Sequence, residues 1–384
     1  MIRIYLQKYI IKILFVLFIA NTGLFAQQVT EINPELLCKP WPAKWISYPE
    51  NSNSGYGVYL FRKEISIITK PDKFIIHVSA DNRYKLYING IYVSNGPTTS
   101  YLFKWNFESI DIASYLHPGK NVISSVVWNF AEHRPLAQIS GQTGFIIQGN
   151  SKTENSINSD TSWVVFNDKA YKPLPVNINQ YYAAGAGEEF NCEKHPWDWM
   201  DKDFNTSEWK QAREVETAKP IGCMGEWGGT SIHLLSQRPL PFMEEKLQRF
   251  LKLRCSDITN IPENFLKGKT PISIPANSKV KLLFDQNVLT TAYPVLNFSK
   301  GKNSHIKLTY AESLLDSNGS KGNRNDIESK QIKGISDVII CDGGNNHIFQ
   351  TLWWRAFRYV EIEIETKDEP LVLNDFYSIF QHIL

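Results

Sequence analysis

The sequence of 384 residues lacks the patterns that mark several classes of protein. It contains no Cys-x-x-Cys motif and no Cys/His cluster, so zinc binding is not expected. Its formal net charge is +2, and no basic block is present, which argues against nucleic acid as the main partner. Gly-rich phosphate loops, His-x-x-His pairs and a Ser/His/Asp order are not found in a convincing context. Nucleotide, metalloprotease and triad-hydrolase chemistry therefore have little support.

Long hydrophobic runs are also missing, apart from one near the amino terminus. Met1–Ala26 has basic residues, then the apolar run Ile13–Ala20, then small residues before Gln27, which is typical of a secretory signal peptide. The run is shorter than the roughly 20 residues that cross a bilayer. We therefore predict a signal peptide at residues 1–26, no membrane span, and a periplasmic or extracellular protein. The five cysteines leave at least one unpaired, and no pairing can be assigned from the sequence.

No long amphipathic helix is indicated, because the only segment with helical spacing, Glu244–Lys252, is too short to decide. Short strand-like segments separated by turn signals recur instead. The pattern predicts an all-β fold of two antiparallel β-sandwiches of the jelly-roll kind. The clearest strand segments are Phe74–Val78, Val122–Trp128, Val280–Phe284, Ile306–Tyr310, Val338–Cys341 and Tyr359–Ile364.

Two domains are expected from the chain length. We place the first sandwich at residues 41–235, and we expect the irregular stretch after Trp163 to wrap back onto it. Gln237–Pro241 contains two prolines and predicts an extended linker. The second sandwich then occupies residues 236–384.

The most informative local pattern is a hairpin that begins with two adjacent oxygen-bearing side chains. Tyr84–Ile88 and Ile91–Val93 read as strands, and the Asn-Gly link between them favours a type I′ turn. Asp81 and Asn82 precede the hairpin and offer a carboxylate and an amide, which suit Ca²⁺ or sugar hydroxyls. The alternative is that the two residues only cap a turn by bonding their own backbone.

Aromatic residues and glutamates can each have a structural role or a role at a binding surface. Aromatic residues make up 13% of the chain; such rings usually fill β-sandwich cores, and only some line carbohydrate sites. Among the carboxylates, Glu361, Glu363 and Glu365 alternate with isoleucines and predict a strand with one face in water. Glu188 and Glu189 lie in a Gly-rich segment and are interpreted either as solvated loop charges or as part of a contact surface.

Several stretches together carry a family resemblance. In this order they resemble the amino-terminal half of bacterial α-L-rhamnosidases of glycoside hydrolase family 78, and they span nearly all of the mature chain. The matching stretches are Ala80–Gly90, Asp111–Leu116, Pro118–Ile123, Val127–Glu132, Leu308–Glu312, Lys321–Asn325 and Trp353–Val360.

The resemblance implies that the first sandwich is similar to the calcium-dependent rhamnose-binding module of some of these enzymes. In that pattern Asp81 and Asn82 would ligate both the cation and the sugar, and Trp105 would contact the sugar. Asn129 and Pro135 lie near the expected backbone carbonyl ligands of the metal. The implied cofactor is Ca²⁺, and the implied partners are rhamnose-containing glycans.

The family's catalytic carboxylates lie in a six-hairpin α/α barrel that follows the second sandwich, and the sequence contains no helical repeat of that kind. No catalytic residue is therefore predicted in this chain, and enzymatic activity stays uncertain. The leading expectation is the carbohydrate-binding and scaffold portion of an exported rhamnosidase, which binds terminal L-rhamnose without cleaving it. The alternative is one part of an active inverting rhamnosidase, whose barrel is supplied by a separate chain or lost by truncation. A third alternative is an inactive remnant.

Overall fold

The computed structural model describes residues 29, 31–50, 54–175, 183, 185–223, 231–259 and 261–382. The predicted signal peptide lies outside these residues. Within them, no helix has the length and apolar character that a bilayer crossing requires. The helices in this part of the chain are all short: α1 (Glu35–Cys38) and the 3₁₀ helices Ala113–Tyr115, Ala131–His133, Lys152–Ile157, Cys192–Lys194, Ile221–Cys223 and Phe265–Lys267. The expectation of an all-β chain is confirmed.

The first sandwich consists of a seven-stranded and a six-stranded sheet. The seven-stranded sheet contains β1 (Lys44–Ser47), β3 (Ile75–Asp81), β6 (Trp105–Asp111), β8 (Gly144–Gly149), β13 (Arg213–Thr217), β14 (Lys219–Pro220) and β15 (Leu234–Gln237), in the order β13-β1-β8-β3-β6-β15-β14. The six-stranded sheet contains β2 (Gly57–Ile67), β4 (Arg83–Ile88), β5 (Ile91–Gly96), β7 (Gly119–Asn129), β9 (Val164–Asn167) and β12 (Lys210–Gln211), in the order β12-β9-β2-β7-β4-β5. Most pairs are antiparallel, but β15 runs parallel to both β6 and β14.

The predicted hairpin is present as β4 and β5. Ile88 pairs with Ile91, and the two turn residues Asn89 and Gly90 have φ values of 52° and 75°. Both values are positive, as a type I′ turn requires. Asn89 also ties the turn to the neighbouring strand, because its side-chain oxygen accepts a hydrogen bond from the Val122 amide at 2.8 Å. The turn therefore fixes the register of β4 against β5 and β7.

The core of the first sandwich fills the space between its two sheets. Aromatic rings from both sheets meet there: the Phe61 and Phe145 centroids are 5.3 Å apart, and Phe145 lies 5.5 Å from Trp163. Ile76, Leu86 and many other aliphatic side chains are completely buried around them. Burial of this apolar area supplies the main driving force for the sandwich.

The second domain is built on an eleven-stranded sheet around one long strand. Its strands are β10 (Tyr171–Pro173), β11 (Glu188–Asn191), β16 (Glu244–Gln248), β17 (Lys252–Ser256), β18 (Ile272–Ile274), β19 (Lys279–Lys300), β20 (His305–Ala311), β21 (Ser336–Ile340), β22 (His347–Gln350), β23 (Arg355–Glu365) and β24 (Leu371–His382). The first half of β19 pairs with β17 and β23, and its second half pairs with β24 and β22. The register of β19 against β23 shifts between Asp285 and Thr290, so the strand is irregular where its partners change.

The strand predictions agree with the structure, and one local interpretation does not. All six predicted strand segments overlap observed strands, and Glu361, Glu363 and Glu365 alternate with fully buried isoleucines on β23. The segment Glu244–Lys252, whose spacing alone does not decide between helix and strand, contains β16, which pairs with β24. The stretch after Trp163 does not simply wrap back, since β10 and β11 join the second sheet through a parallel pairing with β21.

Candidate functional site

Asp81 lies at the end of β3 and is completely buried. Its Oδ2 accepts hydrogen bonds from the amides of Gly141 and Gln142 at 2.6 and 3.0 Å, and the His233 Nε2 lies 2.9 Å away. Burial lowers the pKa of His233, but its contacts with Asp81 and with Glu216, 3.5 Å away, raise that pKa above the ordinary value. The Asp81 carboxylate thus connects β3 to the loop before β8 and to the segment before β15.

The side chain of Asn82 extends this hydrogen-bond network. Its side-chain amide donates to Asp81 Oδ1 and to the Ile139 carbonyl, both at 3.1 Å, and its oxygen accepts from the Phe130 amide at 2.9 Å. The next predicted ligand, Asn129, bonds through its side chain to Ser140, Thr143 and Ala131. The Pro135 carbonyl accepts from the Gln138 amide at 2.9 Å. Asp81, Asn82 and the Pro135 carbonyl therefore already accept hydrogen bonds from protein donors.

These contacts provide a test of whether calcium fits the predicted ligands. One carboxylate, one amide and two carbonyls have the chemistry that Ca²⁺ prefers, but the ion takes six to eight oxygens. Asp81 Oδ2 is already surrounded by three protein donors, one of them His233. In this arrangement the ligand set does not fit calcium unless these donors move.

Trp105 and Asn82 share a small cavity beside this network. Trp105 is 3% exposed, and its indole N–H donates to the Ala80 carbonyl at 3.3 Å. The cavity has a volume of about 20 Å³, enough for one water-sized group. Gln138 lines it as well, and both polar atoms of its buried side chain have no partner among the described residues. Asp81, Asn129 and Pro135 do not line this cavity.

Exposed apolar side chains flank the same cavity along the chain. Tyr101 is 57% exposed and Phe103 71% exposed, and both lie between the cavity-lining residues Ser100 and Trp105. Leu136, two residues before Gln138, is 65% exposed. Large apolar side chains at this exposure contribute little to the core, and aromatic rings in such positions offer a flat surface to a ligand.

A much larger cavity of about 840 Å³ opens between the two domains. Sequence reasoning missed it, although Trp353 and Trp354 belong to one of the stretches that carry the family resemblance. The first domain contributes β4, β5 and the loop that follows, and the second contributes β16, β19, β24 and the residues before β23. We refer to it as the interdomain cleft; its polar and aromatic walls include Arg83, Asn95, Glu245, Tyr293, Trp354 and Gln381.

Buried polar contacts hold the two domains together beside this cleft. Lys85 on β4 donates to Gln350 Oε1 at 3.0 Å and to the Thr351 carbonyl at 3.2 Å. Burial lowers the pKa of Lys85 to about 8, despite the attraction of nearby carboxylates. Asn95 on β5 donates to Glu245 Oε1 on β16 at 2.7 Å. The walls of the cleft are therefore positioned by hydrogen bonds that cross the domain boundary.

Three of the carboxylates discussed from the sequence are paired with basic side chains in the structure. Glu188 is neither a solvated loop charge nor part of a contact surface: it is buried, and its Oε1 lies 3.2 Å from Arg355. Burial raises the pKa of Glu188, and Arg355 opposes this rise. Glu361 and Glu363 both pair with Lys281, at 3.6 and 2.7 Å. All three carboxylates are thus paired with basic side chains of the second sheet.

Comparisons with known proteins agree with this architecture. Residues 69–224 match the family model described as the alpha-L-rhamnosidase N-terminal domain. The fold resembles a GH78 rhamnosidase of Bacillus sp. GL1 (TM-score 0.75, 13% identity, 90% of this chain and 56% of that chain). It also resembles the α-L-rhamnosidase of Aspergillus terreus (TM-score 0.59, 17% identity, 89% of this chain and 36% of that chain). A third similar structure is the α-L-rhamnosidase of Streptomyces avermitilis, solved with L-rhamnose (TM-score 0.54, 15% identity, 85% of this chain and 29% of that chain). No curated protein matches the sequence.

Proposed function

We propose a carbohydrate-binding role, because residues 69–224 match the α-L-rhamnosidase N-terminal domain and the fold of family 78 rhamnosidases extends over most of the chain. The chain acts as the recognition and scaffold portion of a rhamnosidase-like glycoside hydrolase and binds terminal L-rhamnose of glycans without cleaving it. It spans 56% or less of the solved rhamnosidases described above. Export through the predicted signal peptide at residues 1–26 is part of the same proposal.

The observation that carries the proposal is the small cavity shared by Asn82, Trp105 and Gln138. A buried amide without a partner costs roughly 1–3 kcal/mol, and a ligand hydroxyl placed in the cavity would remove that cost. The cavity is too small for a whole sugar, but one hydroxyl has the size of the water it could hold. Rhamnose carries both vicinal hydroxyls and a methyl group, so the remainder of the sugar would contact Phe103 and Leu136 outside the cavity.

Calcium at Asp81 and Asn82 stays a prediction. Binding would require His233 and the two loop amides to move away from the carboxylate. Calcium added to chelator-treated protein should then raise the unfolding temperature, since a ligand that binds only the folded state stabilises it. An unchanged unfolding temperature at millimolar calcium would contradict the prediction without affecting the sugar site itself.

Titration calorimetry with L-rhamnose tests the proposed site. We expect saturable binding by the full chain, about tenfold weakened in Phe103→Ala and in Gln138→Ala, because each removes one contact worth on the order of 1 kcal/mol. The matched control is Ile68→Ala, which truncates a side chain that is 93% exposed in the same domain. Circular dichroism checks that each variant is folded. Rhamnose binding that is unchanged in both site variants, or undetectable in the native chain, would overturn the proposed site.

The statement that the chain does not cleave the sugar has its own test. Incubation of the purified chain with an aryl rhamnoside should release no phenol. Turnover without an added partner would contradict this part of the proposal and favour the alternative of an active rhamnosidase.

A further inference from the structure

The interdomain cleft is large enough for a ligand of several rings. Its volume of about 840 Å³ falls within the roughly 300–1,000 Å³ that small-molecule sites occupy. The pocket is distinct from the rhamnose site proposed above, although Arg83, Thr98 and Thr99 line both cavities. Nothing in the proposed rhamnose site requires this second space.

Aromatic rings form one side of the cleft. Trp353 and Trp354 are half-buried, and their ring centroids lie 6.0 Å apart with planes tilted by 38°. Tyr293 contributes a third ring from β19. The Trp353 indole N–H is buried and has no acceptor among the described residues. Such an arrangement offers flat apolar faces to the C–H groups of pyranose rings.

Polar groups of the cleft are fixed in place by hydrogen bonds. Glu245 Oε1 accepts from the Tyr92 hydroxyl at 2.8 Å and from Asn95 Nδ2 at 2.7 Å, and it also accepts from Gln381. No described residue donates to its other oxygen, Oε2. Asn95 Oδ1 accepts from Arg83 at 3.3 Å, and the Arg83 guanidinium lies 4.9 Å from the Trp353 ring. A carboxylate oxygen and a guanidinium are therefore held beside the rings.

The charges that line the cleft balance, which bears on the class of ligand. The ionic side chains of its walls are Arg83, Arg238, Glu244 and Glu245, two of each sign. A strongly anionic ligand would be repelled by the two glutamates, and a strongly cationic ligand by the two arginines. A neutral ligand with many hydroxyls can instead donate to the carboxylates and accept from the arginines.

We propose that the interdomain cleft is a second carbohydrate-binding site, which takes a short neutral oligosaccharide with its rings against Trp353 and Trp354. The site is separate in space from the rhamnose site of the first domain, although the two cavities share a wall. Its rings and its carboxylate come from the second domain, whereas Arg83 and Asn95 come from the first, so the complete site exists only in the intact chain. The hydrogen bonds of Lys85 and Glu245 across the boundary keep the site open before the ligand arrives.

Calorimetric titration of the full chain with a defined set of neutral probes tests the inference: a rhamnose-terminated disaccharide, cellotetraose, xylotetraose and mannotetraose. We expect at least one tetrasaccharide to bind, with an affinity that Trp354→Ala lowers about tenfold, a loss of about 1.4 kcal/mol. The matched control is Trp209→Ala, which truncates a half-buried indole stacked on Phe166 in the first domain.

The Phe103→Ala variant separates this inference from the proposed rhamnose site. Oligosaccharide binding that survives Phe103→Ala and weakens in Trp354→Ala supports the cleft. The reverse pattern assigns the binding to the first domain and overturns the inference while leaving the proposed function intact. Absence of binding to every tetrasaccharide also overturns it, whatever the result with L-rhamnose.

Discussion

Asp81 and Glu245 lie in adjacent regions of the molecule and illustrate two uses of a carboxylate. Asp81 is completely buried, and its two oxygens are approached by two loop amides, His233 and Asn82. Glu245 is partly exposed, and the donors that reach it all bond to one oxygen, Oε1. Both residues connect segments that are distant in the sequence, but only Glu245 leaves an oxygen beside an open cavity.

The difference shows how burial separates structural from recognition roles. A buried charge is stable only when it is paired and hydrogen-bonded, so the donors around Asp81 are a condition for its presence in the core. A half-exposed carboxylate needs fewer protein donors, because water or a ligand hydroxyl can satisfy it. The chemical type of a residue is therefore a poorer guide to ligand binding than the number of its protein partners.

The largest expected effect follows from removal of the Asp81 carboxylate. Asp81→Ala leaves His233 and the amides of Gly141 and Gln142 without their acceptor in a buried site, which should cost about 3–5 kcal/mol of unfolding free energy. Urea unfolding measures the loss. Asp316→Ala is the matched control, because Asp316 accepts from two amides in a partly exposed turn, and we expect a cost of about 1 kcal/mol. Equal costs would contradict a structural role for Asp81.

The second effect concerns Lys85, which joins the domains behind the cleft. The pKa of Lys85 is about 8 in the folded chain and 10.5 in the unfolded chain. Between these two pH values the unfolded state therefore binds more protons. The contribution of Lys85 to stability therefore rises with pH across this window. Each pKa unit corresponds to ~1.4 kcal/mol, which gives a change on the order of 3 kcal/mol.

Comparison with Lys85→Met isolates this contribution, because all other groups titrate alike in both proteins. Urea unfolding of both chains at pH 8 and pH 10.5 should show the native chain gaining stability relative to the variant. A difference between the two chains that does not change with pH would mean that Lys85 is solvated rather than buried.

The smallest expected effect on stability concerns Glu245, the partly exposed carboxylate of the comparison. Glu245→Ala removes the acceptor of Tyr92, Asn95 and Gln381, and we expect a loss of about 1–2 kcal/mol in urea unfolding. Glu245→Gln keeps an acceptor oxygen at the same place and should restore most of this stability. If the alanine variant is as stable as the native chain, the hydrogen bonds across the boundary do not hold the cleft.

The parts of the fold that were predictable from the sequence depend on local signals. The Asn89-Gly90 turn is specified by two residues with positive φ, and the strand of Glu361, Glu363 and Glu365 by strict alternation with buried isoleucines. The segment of β16 contains an ambiguous apolar spacing, and only its pairing with β24 makes it a strand. Tertiary pairing overrides local preference in such short segments.

The candidate sites depend on contacts that no local pattern contains. His233 is distant from Asp81 in the sequence, and Gln381 is far from the Asn95 and Glu245 to which the fold brings it. The glycine neighbours of Glu188 favour a loop, but Glu188 lies in β11, and the parallel pairing of β11 with β21 buries it. The Asp81-Asn82 pair was visible as a motif, whereas its hydrogen-bond partners were not.

The wall formed by Arg83, Thr98 and Thr99 has one more consequence, because it faces the small cavity on one side and the cleft on the other. A ligand that shifts this wall from either side changes the free energy of binding on the opposite side. Thermodynamic linkage requires the two effects to be equal in size. Binding of a sugar at one site would thus change the affinity of the other site. The coupling free energy has the same size and the same sign in both directions.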